Sequence, residues 1–245
     1  MKIKNWAAFG FAWMVYGAFA AFDESTIAFY PFNDGEGAIS EAKALQNAVD
    51  PETFAGKVTP AGTSTVVFDD DAPGMYVFDD ISGSLPKPIF TSPKSIYMTG
   101  AQSTDCAYLT FADIATALSK MGAGTVEFFY KQPSTDPYCT WSRFYACDAG
   151  ITEIASGKTV SFASTPSLAM SDAYKNEVSA FTTKDDGSFG TRFVVSTGLA
   201  RDTWHHYAVT YSENTFKVTI DYASSVTLKG YKLTDLGNES VPLRL

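Results

Sequence analysis

Spacing is the feature of this chain that most narrows what it can fold into. Short runs such as "SRFYAC", "KTVSFAS", "NEVSAFTT", "TRFVVST", "TWHHYAVTY", "TFKVTIDY", "SVTLKG" and "VPLRL" follow one another at intervals of about ten to fifteen residues, with Gly, Asp, Asn and Ser between them. Strands that close together pair antiparallel, because parallel pairing needs long crossovers that are usually helical. The expectation is an all-β, antiparallel two-sheet sandwich. Aromatic residues make up 15% of the chain and apolar residues 45%, a composition that suits pleated, half-buried surfaces. One segment, "DIATALSKMG", has helical character. Asp113 can cap it, Ile114, Leu118 and Met121 share a face, and Gly122 can end it, so a single short helix is expected near 113–121.

The first residues read as a leader. Lys2 and Lys4 precede an apolar run from Trp6 to Phe22, with small residues at Ala18 and Ala20; this is the pattern of a secretory signal peptide, residues 1–20, cut after Ala20. The run lies at the bottom edge of the ~17–25 residues that span a bilayer, so the alternative is an uncleaved anchor; after cleavage no membrane span is expected. Loss of two lysines makes a chain of net charge −9 more acidic still. An acidic surface repels nucleic acid and anionic membrane, so neither is an expected partner. It suits a secreted or cell-surface protein. Three cysteines remain, Cys106, Cys139 and Cys147. Export permits disulfides, Cys139 and Cys147 are the candidate pair, and the absence of a Cys-x-x-Cys spacing argues against a zinc site.

Between the leader and the helix, "STIAFYPFNDGEG" predicts a strand ending at the Asn33-Asp34-Gly35 turn, and residues 38–49 a loop. "VVFDD" and "YVFDD" flank "DAPG", which predicts a hairpin over Val66–Asp80. "AYLTF" and "GTVEFFYK", on either side of the helix, predict further strands. No linker-like segment interrupts the chain, so residues 25–245 are expected to form one domain.

Both histidines of the chain, His205 and His206, are adjacent. In a strand, neighbours point to opposite faces. Trp204, His206, Ala208 and Thr210 then share one side, and His205, Tyr207, Val209 and Tyr211 the other. The pair cannot chelate one ion, and no third histidine exists to complete a zinc site. Trp204 and His206 are expected to serve as scaffold. In the next strand, beyond the "YSENTF" turn, Phe216, Val218 and Ile220 are expected to face inward, with Lys217, Thr219 and Asp221 outward.

"TWHHYAVTYSENTFKVTIDYASS" resembles the tryptophan–histidine strand and hairpin of laminin G-like jelly-roll domains, in the concanavalin A-like lectin/glucanase superfamily. "TIAFYPFNDGEG" is similar to that family's opening strand, "GTVEFFYK" to its aromatic central strand, and "VPLRL" to a later strand. The resemblance implies a jelly-roll sandwich. Two departures stand out: "IDYASS" replaces the usual Asp-Gly turn, and the family's closing strand has no counterpart before Leu245. The sandwich is therefore expected to lack its C-terminal strand or strands. In such domains an early acidic loop often binds calcium, which makes Asn33, Asp34 and Glu36 the candidate ligands and Ca²⁺ the candidate cofactor.

Other acidic residues point elsewhere. With Asp71–Gly74 as a turn, Asp79 would lie roughly 13 Å along the hairpin from Asp70, at ~3.3 Å per residue, beyond one ion's reach. Asp69, Asp70, Asp71, Asp79 and Asp80 are then expected to be solvated hairpin ends. Glucanases of the resembled superfamily carry Glu-x-Asp-x-x-Glu, so that one acid protonates the leaving oxygen while another attacks or activates water. That triplet does not occur here, and Glu127 stands alone as a solvent-facing strand acid. Tyr138, Trp141 and Tyr145 near the cysteines, and Tyr207 and Tyr211 on one face, are the candidate sugar-stacking rings. The expected function is an exported, non-catalytic binding or adhesion module recognising a carbohydrate or an extracellular protein. The alternatives are a glycan-cleaving enzyme of the same superfamily and a ligand-free structural domain of a larger surface protein.

Overall fold

A computed structural model of the chain describes residues 27–32, 35–60, 62–78, 87–92, 94–99, 107–111, 113–131, 145–157, 159–165, 178–183, 189–196, 198–233 and 243–244. The leader (1–20), Asn33, Asp34, Asp79, Asp80, Cys106, Tyr138, Cys139 and Trp141 lie outside the described residues. Among those described, no helix is long and apolar enough to cross a membrane.

The elements in chain order are β1 (Ala44–Leu45), β2 (Gly56–Thr59), β3 (Val66–Asp69), β4 (Gly74–Phe78), β5 (Lys87–Ser92), β6 (Ser95–Met98), β7 (Tyr108–Phe111), helix α1 (Ile114–Met121), β8 (Gly124–Lys131), β9 (Tyr145–Glu153), β10 (Thr159–Thr165), β11 (Val178–Thr183), β12 (Phe189–Ser196), β13 (Trp204–Tyr211), β14 (Thr215–Ile220), β15 (Ser224–Lys229), β16 (Tyr231–Leu233) and β17 (Leu243–Arg244). A nine-stranded sheet runs β1-β2-β7-β17-β9-β10-β11-β12, with β16 also paired to β9. A four-stranded sheet runs β15-β14-β13-β8, and β3-β6 and β4-β5 form two small ladders. These ladders are all antiparallel.

Alternation on the two main sheets builds the core. Leu45, Val58, Leu109 and Phe111 from the larger sheet meet Tyr207, Val209, Tyr211, Phe216, Val218 and Ile220 from the smaller one in a single buried cluster. Face-to-face burial of two such sheets removes the most apolar area from water that either can offer. The chain is an antiparallel β-sandwich, as the spacing of its strands leads one to expect. Helix α1 closes the core with Ile114 and Leu118.

Several local expectations are corrected. Val66–Asp80 does not form a hairpin: β3 pairs with β6 in the register Val66↔Met98, and β4 pairs with β5. The "DAPG" segment is drawn out of a turn role because Asp69 Oδ1 accepts the Asp71 N–H at 2.7 Å while the Asp71 carboxylate engages another sheet. Residues 27–32 form no strand. They are held by the buried side chain of Asn47, whose Oδ1 accepts the Phe29 N–H at 2.9 Å and whose Nδ2 donates to the Ile27 carbonyl at 3.1 Å. Residues 38–49 are not all loop, since Ala38 bridges Val67 and Ala44–Leu45 form β1. Asp113 makes no side-chain cap on α1, because its left-handed backbone (φ 64°) turns the carboxylate away. Met121, at the end of the helix, is exposed instead of sharing the buried face.

Candidate ligand-binding face

Strand β13 runs at the centre of the four-stranded sheet and pairs with β8 in the register Trp204↔Lys131, His206↔Phe129, Ala208↔Glu127 and Thr210↔Thr125. These eight residues share the side of the sheet away from the core, because their neighbours Tyr207, Val209 and Tyr211 are buried within it. On β14 and β15 the same side carries Lys217, Thr219, Ser225 and Thr227, in register with Thr210 and Ala208. Thr125, Glu127, Lys217, Ser225 and Thr227 on it are exposed.

Its aromatic end is built around His206. The imidazole lies parallel to the Tyr222 ring, with centroids 4.2 Å apart and planes 10° from parallel. Phe129 packs edge-on against it at 5.1 Å. These two rings leave His206 only 3% exposed although it faces away from the core. His206 Nε2 stands 3.7 Å from Glu127 Oε2. Tyr222 itself is 50% exposed. It follows Asp221 in the β14–β15 turn, and both have positive φ (49° and 58°), a region that Gly, Asn and Asp tolerate but where a bulky ring such as Tyr222 is strained.

Trp204 continues the aromatic row at the strand's entry. Its indole Nε1 donates to Asp71 Oδ1 at 3.1 Å, and Lys131 Nζ donates to Asp71 Oδ2 while lying 5.9 Å from the indole ring centroid. The hydrogen bond from Lys131, assisted by that from Trp204, holds the Asp71 carboxyl below the usual carboxylate range against some desolvation. The indole plane is thus fixed by a residue from the β3–β4 connection.

His205 points to the other side. Its Nδ1 lies 2.7 Å from Asp221 Oδ2 and its Nε2 2.8 Å from the Ala200 carbonyl. Asp221 Oδ1 accepts the His206 backbone N–H at 2.8 Å, so one carboxylate braces both histidine positions from opposite ends. No common ion is needed to explain the pair.

The candidate residues from the sequence fall into three groups. Tyr207 and Tyr211 are core residues, 2% and 1% exposed, with rings against Phe128 (4.9 Å) and Phe216 (4.8 Å); this corrects their assignment to a sugar platform, since neither ring offers a face to a ligand. Phe216, Val218 and Ile220 are buried. Tyr145 and Cys147 lie in β9, where the backbone of Cys147 pairs with Phe162 and Leu243. Tyr138, Trp141, Cys139, Asn33 and Asp34 are outside the described residues, and Glu36 is exposed. Among the described residues no group of three or more His, Cys, Asp or Glu is placed to hold a metal ion. The residues the sequence reading misses are Phe129 and Tyr222. The signal for Phe129 is its alternation with Phe128 on β8; Tyr222 has none, because its place follows from a turn geometry that its residue type disfavours.

The fold and this face define a β-sandwich whose smaller sheet carries, on the side away from the core, a partly exposed aromatic row that ends in the exposed Tyr222. No family model and no curated protein matches the chain. Among solved structures it is similar to domain 4 of an extracellular arabinanase from Geobacillus stearothermophilus in complex with arabinotriose, at 11% identity and TM-score 0.45, over 85% of this chain and 84% of that one. A Bacillus licheniformis β-glucanase aligns at 12% identity and TM-score 0.36, over 90% and 84%. Toad ovary galectin in complex with thio-digalactose aligns at 14% and 0.33, over 50% and 80%. At these values the likeness assigns neither family nor activity.

Proposed function

We propose that this chain is an exported, non-catalytic binding module that takes a neutral carbohydrate on the outer face of its four-stranded sheet. The observation that carries the reading is the row Trp204–Phe129–His206–Tyr222, with the half-exposed Tyr222 ring laid flat on an imidazole and the Trp204 indole pinned by Asp71. Flat rings offer apolar area to the faces of sugar rings, and rings fixed before binding lose little conformational entropy when a ligand lands. The adjoining Thr125, Thr210, Thr219 and Ser225 supply hydroxyls for a ligand's own. Glu127 stands beside an imidazole, His206, where cleavage of a glycosidic bond would call for a second carboxyl. A neutral ligand suits a chain of net charge −9 better than a polyanion.

A glycan array followed by calorimetry tests this. The expected result is saturable binding of a neutral oligosaccharide, weakened about tenfold or more by Trp204→Ala or by Tyr222→Ala, in line with loss of one stacking contact. Binding that survives both substitutions moves the site elsewhere. Release of shortened oligosaccharides, abolished by Glu127→Gln, would replace the reading with the glycan-cleaving one.

A further inference from the structure

We propose that Glu127 is the specificity-determining residue of the outer face, and that the carbohydrate it selects is one whose stacked ring presents two adjacent unsubstituted hydroxyls. The inference rests on the reading of that face as a carbohydrate site and names the kind of sugar it takes.

Two carboxylates that border the face are already occupied by the protein. Asp71 accepts from Trp204 Nε1 on one oxygen and from Lys131 Nζ on the other. Asp221 accepts the His206 N–H on one oxygen and meets His205 Nδ1 with the other. Glu127 differs from both. Its side chain is 54% exposed, and the nitrogen beside it, His206 Nε2, stands off at 3.7 Å, beyond hydrogen-bond length. Among the described residues it accepts no hydrogen bond. Lys131, the cation on its own strand, is paired with Asp71. Across the ladder Glu127 faces Ala208, whose methyl group offers no donor.

Position gives this carboxylate its role. Glu127 is two residues from Phe129 on β8, about 7 Å along the strand. Phe129 packs against the His206 ring on which Tyr222 is stacked. A sugar ring laid on that aromatic row turns an edge, with its hydroxyls, toward Glu127. A carboxylate is an acceptor only, and its two coplanar oxygens match two neighbouring O–H donors. Hydrogen bonds to a charged acceptor are the stronger kind. The same group turns other sugars away. A uronate or sulfate sets a second negative charge against it. An O-acetyl group removes the donor and leaves the covered carboxylate unpaired.

Calorimetry on the full chain tests this with cellohexaose, mannohexaose, xylohexaose and β-1,4-galactohexaose as neutral probes, their O-acetylated forms, and hexagalacturonate. The parent is expected to bind at least one neutral probe saturably and hexagalacturonate not at all. Glu127→Ala is expected to weaken the neutral binding about tenfold or more while leaving Tm within about 2 °C of the parent. O-acetylation of the bound probe should weaken binding to the parent by a similar factor and cost the variant nothing further, since both changes break the same contact. A Glu127→Ala chain that binds as the parent does, while Trp204→Ala does not, overturns the proposal and leaves the carbohydrate reading standing. A parent that binds none of the neutral probes overturns both. Should Glu127→Ala fail to fold, Glu127→Gln, with one acceptor oxygen in place of two, is expected to lose several-fold in affinity and decides instead.

Discussion

Tyr211 carries an unusual burden for a core residue. It is 1% exposed, its ring sits edge-on to Phe216 at 4.8 Å, and its hydroxyl has no hydrogen-bond partner among the described residues. Burial pushes its phenol well above the ordinary range, because the charged form would have no solvation there. Asn47 shows the contrasting solution. It is fully buried, but its Oδ1 accepts from Phe29 and Val49 and its Nδ2 donates to Ile27. A buried hydroxyl without a partner costs about 1–3 kcal/mol relative to leaving it in water. Tyr211→Phe removes that cost while keeping the ring, so it is expected to leave stability unchanged or raise it by about 1 kcal/mol. Urea unfolding measures this directly. A fall of more than about 1 kcal/mol would mean that the hydroxyl has a partner worth keeping.

At the scale of elements, the β13–β14–β15 meander is the best-specified part of the molecule. Its register follows from strict alternation: Phe216, Val218 and Ile220 on one side, Lys217 and Thr219 on the other, with Tyr211↔Phe216 closing the first turn; Asp221, expected to continue the outer row, instead enters the turn and meets His205. The second turn is held by Asp221, whose carboxylate receives the His206 N–H and meets His205 Nδ1. Two successive positive φ values at Asp221 and Tyr222, with the Ala223 N–H donating to the Ile220 carbonyl at 3.0 Å, mark a type I′-like turn, where Asn-Gly or Asp-Gly is usual, set in a three-residue connection between Ile220 and Ser224. Asp221→Ala removes both braces and leaves a residue poorly suited to φ 49°; the expected loss is about 2–3 kcal/mol, read as a lower denaturant midpoint. A loss under about 0.5 kcal/mol would show that the braces contribute nothing net.

The legibility of the sequence divides along the same line. Segments whose partner is the next segment, β13 with β14 or β10 with β11, can be read from alternation and turn residues. Pairings that skip along the chain cannot, because nothing local in "VVFDD" points to "SIYM". The short "GKVT" strand β2, paired to β7, is missed for the same reason. Histidine alternation on one strand gives the two directions of His205 and His206. The aromatic face is not readable, since it needs Phe129 from a distant strand and Tyr222 from a strained turn to meet over one ring. Alternation likewise puts Tyr207 and Tyr211 on a common side, but it cannot tell which side the core occupies.

At the scale of the whole molecule, one ion-paired cluster links two of its ladders. Asp71 leaves the end of β3 and reaches Lys131 at the end of β8 and Trp204 at the start of β13. The Ser95 hydroxyl donates to the Asp71 carbonyl at 2.7 Å, so β6 shares in the link. Because the folded-state carboxyl of Asp71 is held below its ordinary value, the link is in force above the unfolded-state pKa of about 4 and is lost as pH falls through the lower folded-state value. Tryptophan fluorescence followed down in pH should report release of the indole in that acid window. Asp71→Asn should remove the transition. An identical acid transition in the variant would assign it to other carboxyls.

The placement of Leu243–Arg244 has a temporal meaning. This dipeptide is inserted between Phe111–Thr110 of β7 and Cys147–Ala146 of β9, and in the larger sheet it is the link that joins the group β1-β2-β7 to the group β9-β10-β11-β12. A ribosome delivers those two groups long before it delivers the piece that unites them. Those joining contacts pair Leu243 with Phe111 and with Cys147, closures over roughly a hundred residues or more of intervening chain. Such distant closures are slow, so the union of the two groups into one sheet is expected to come late in folding.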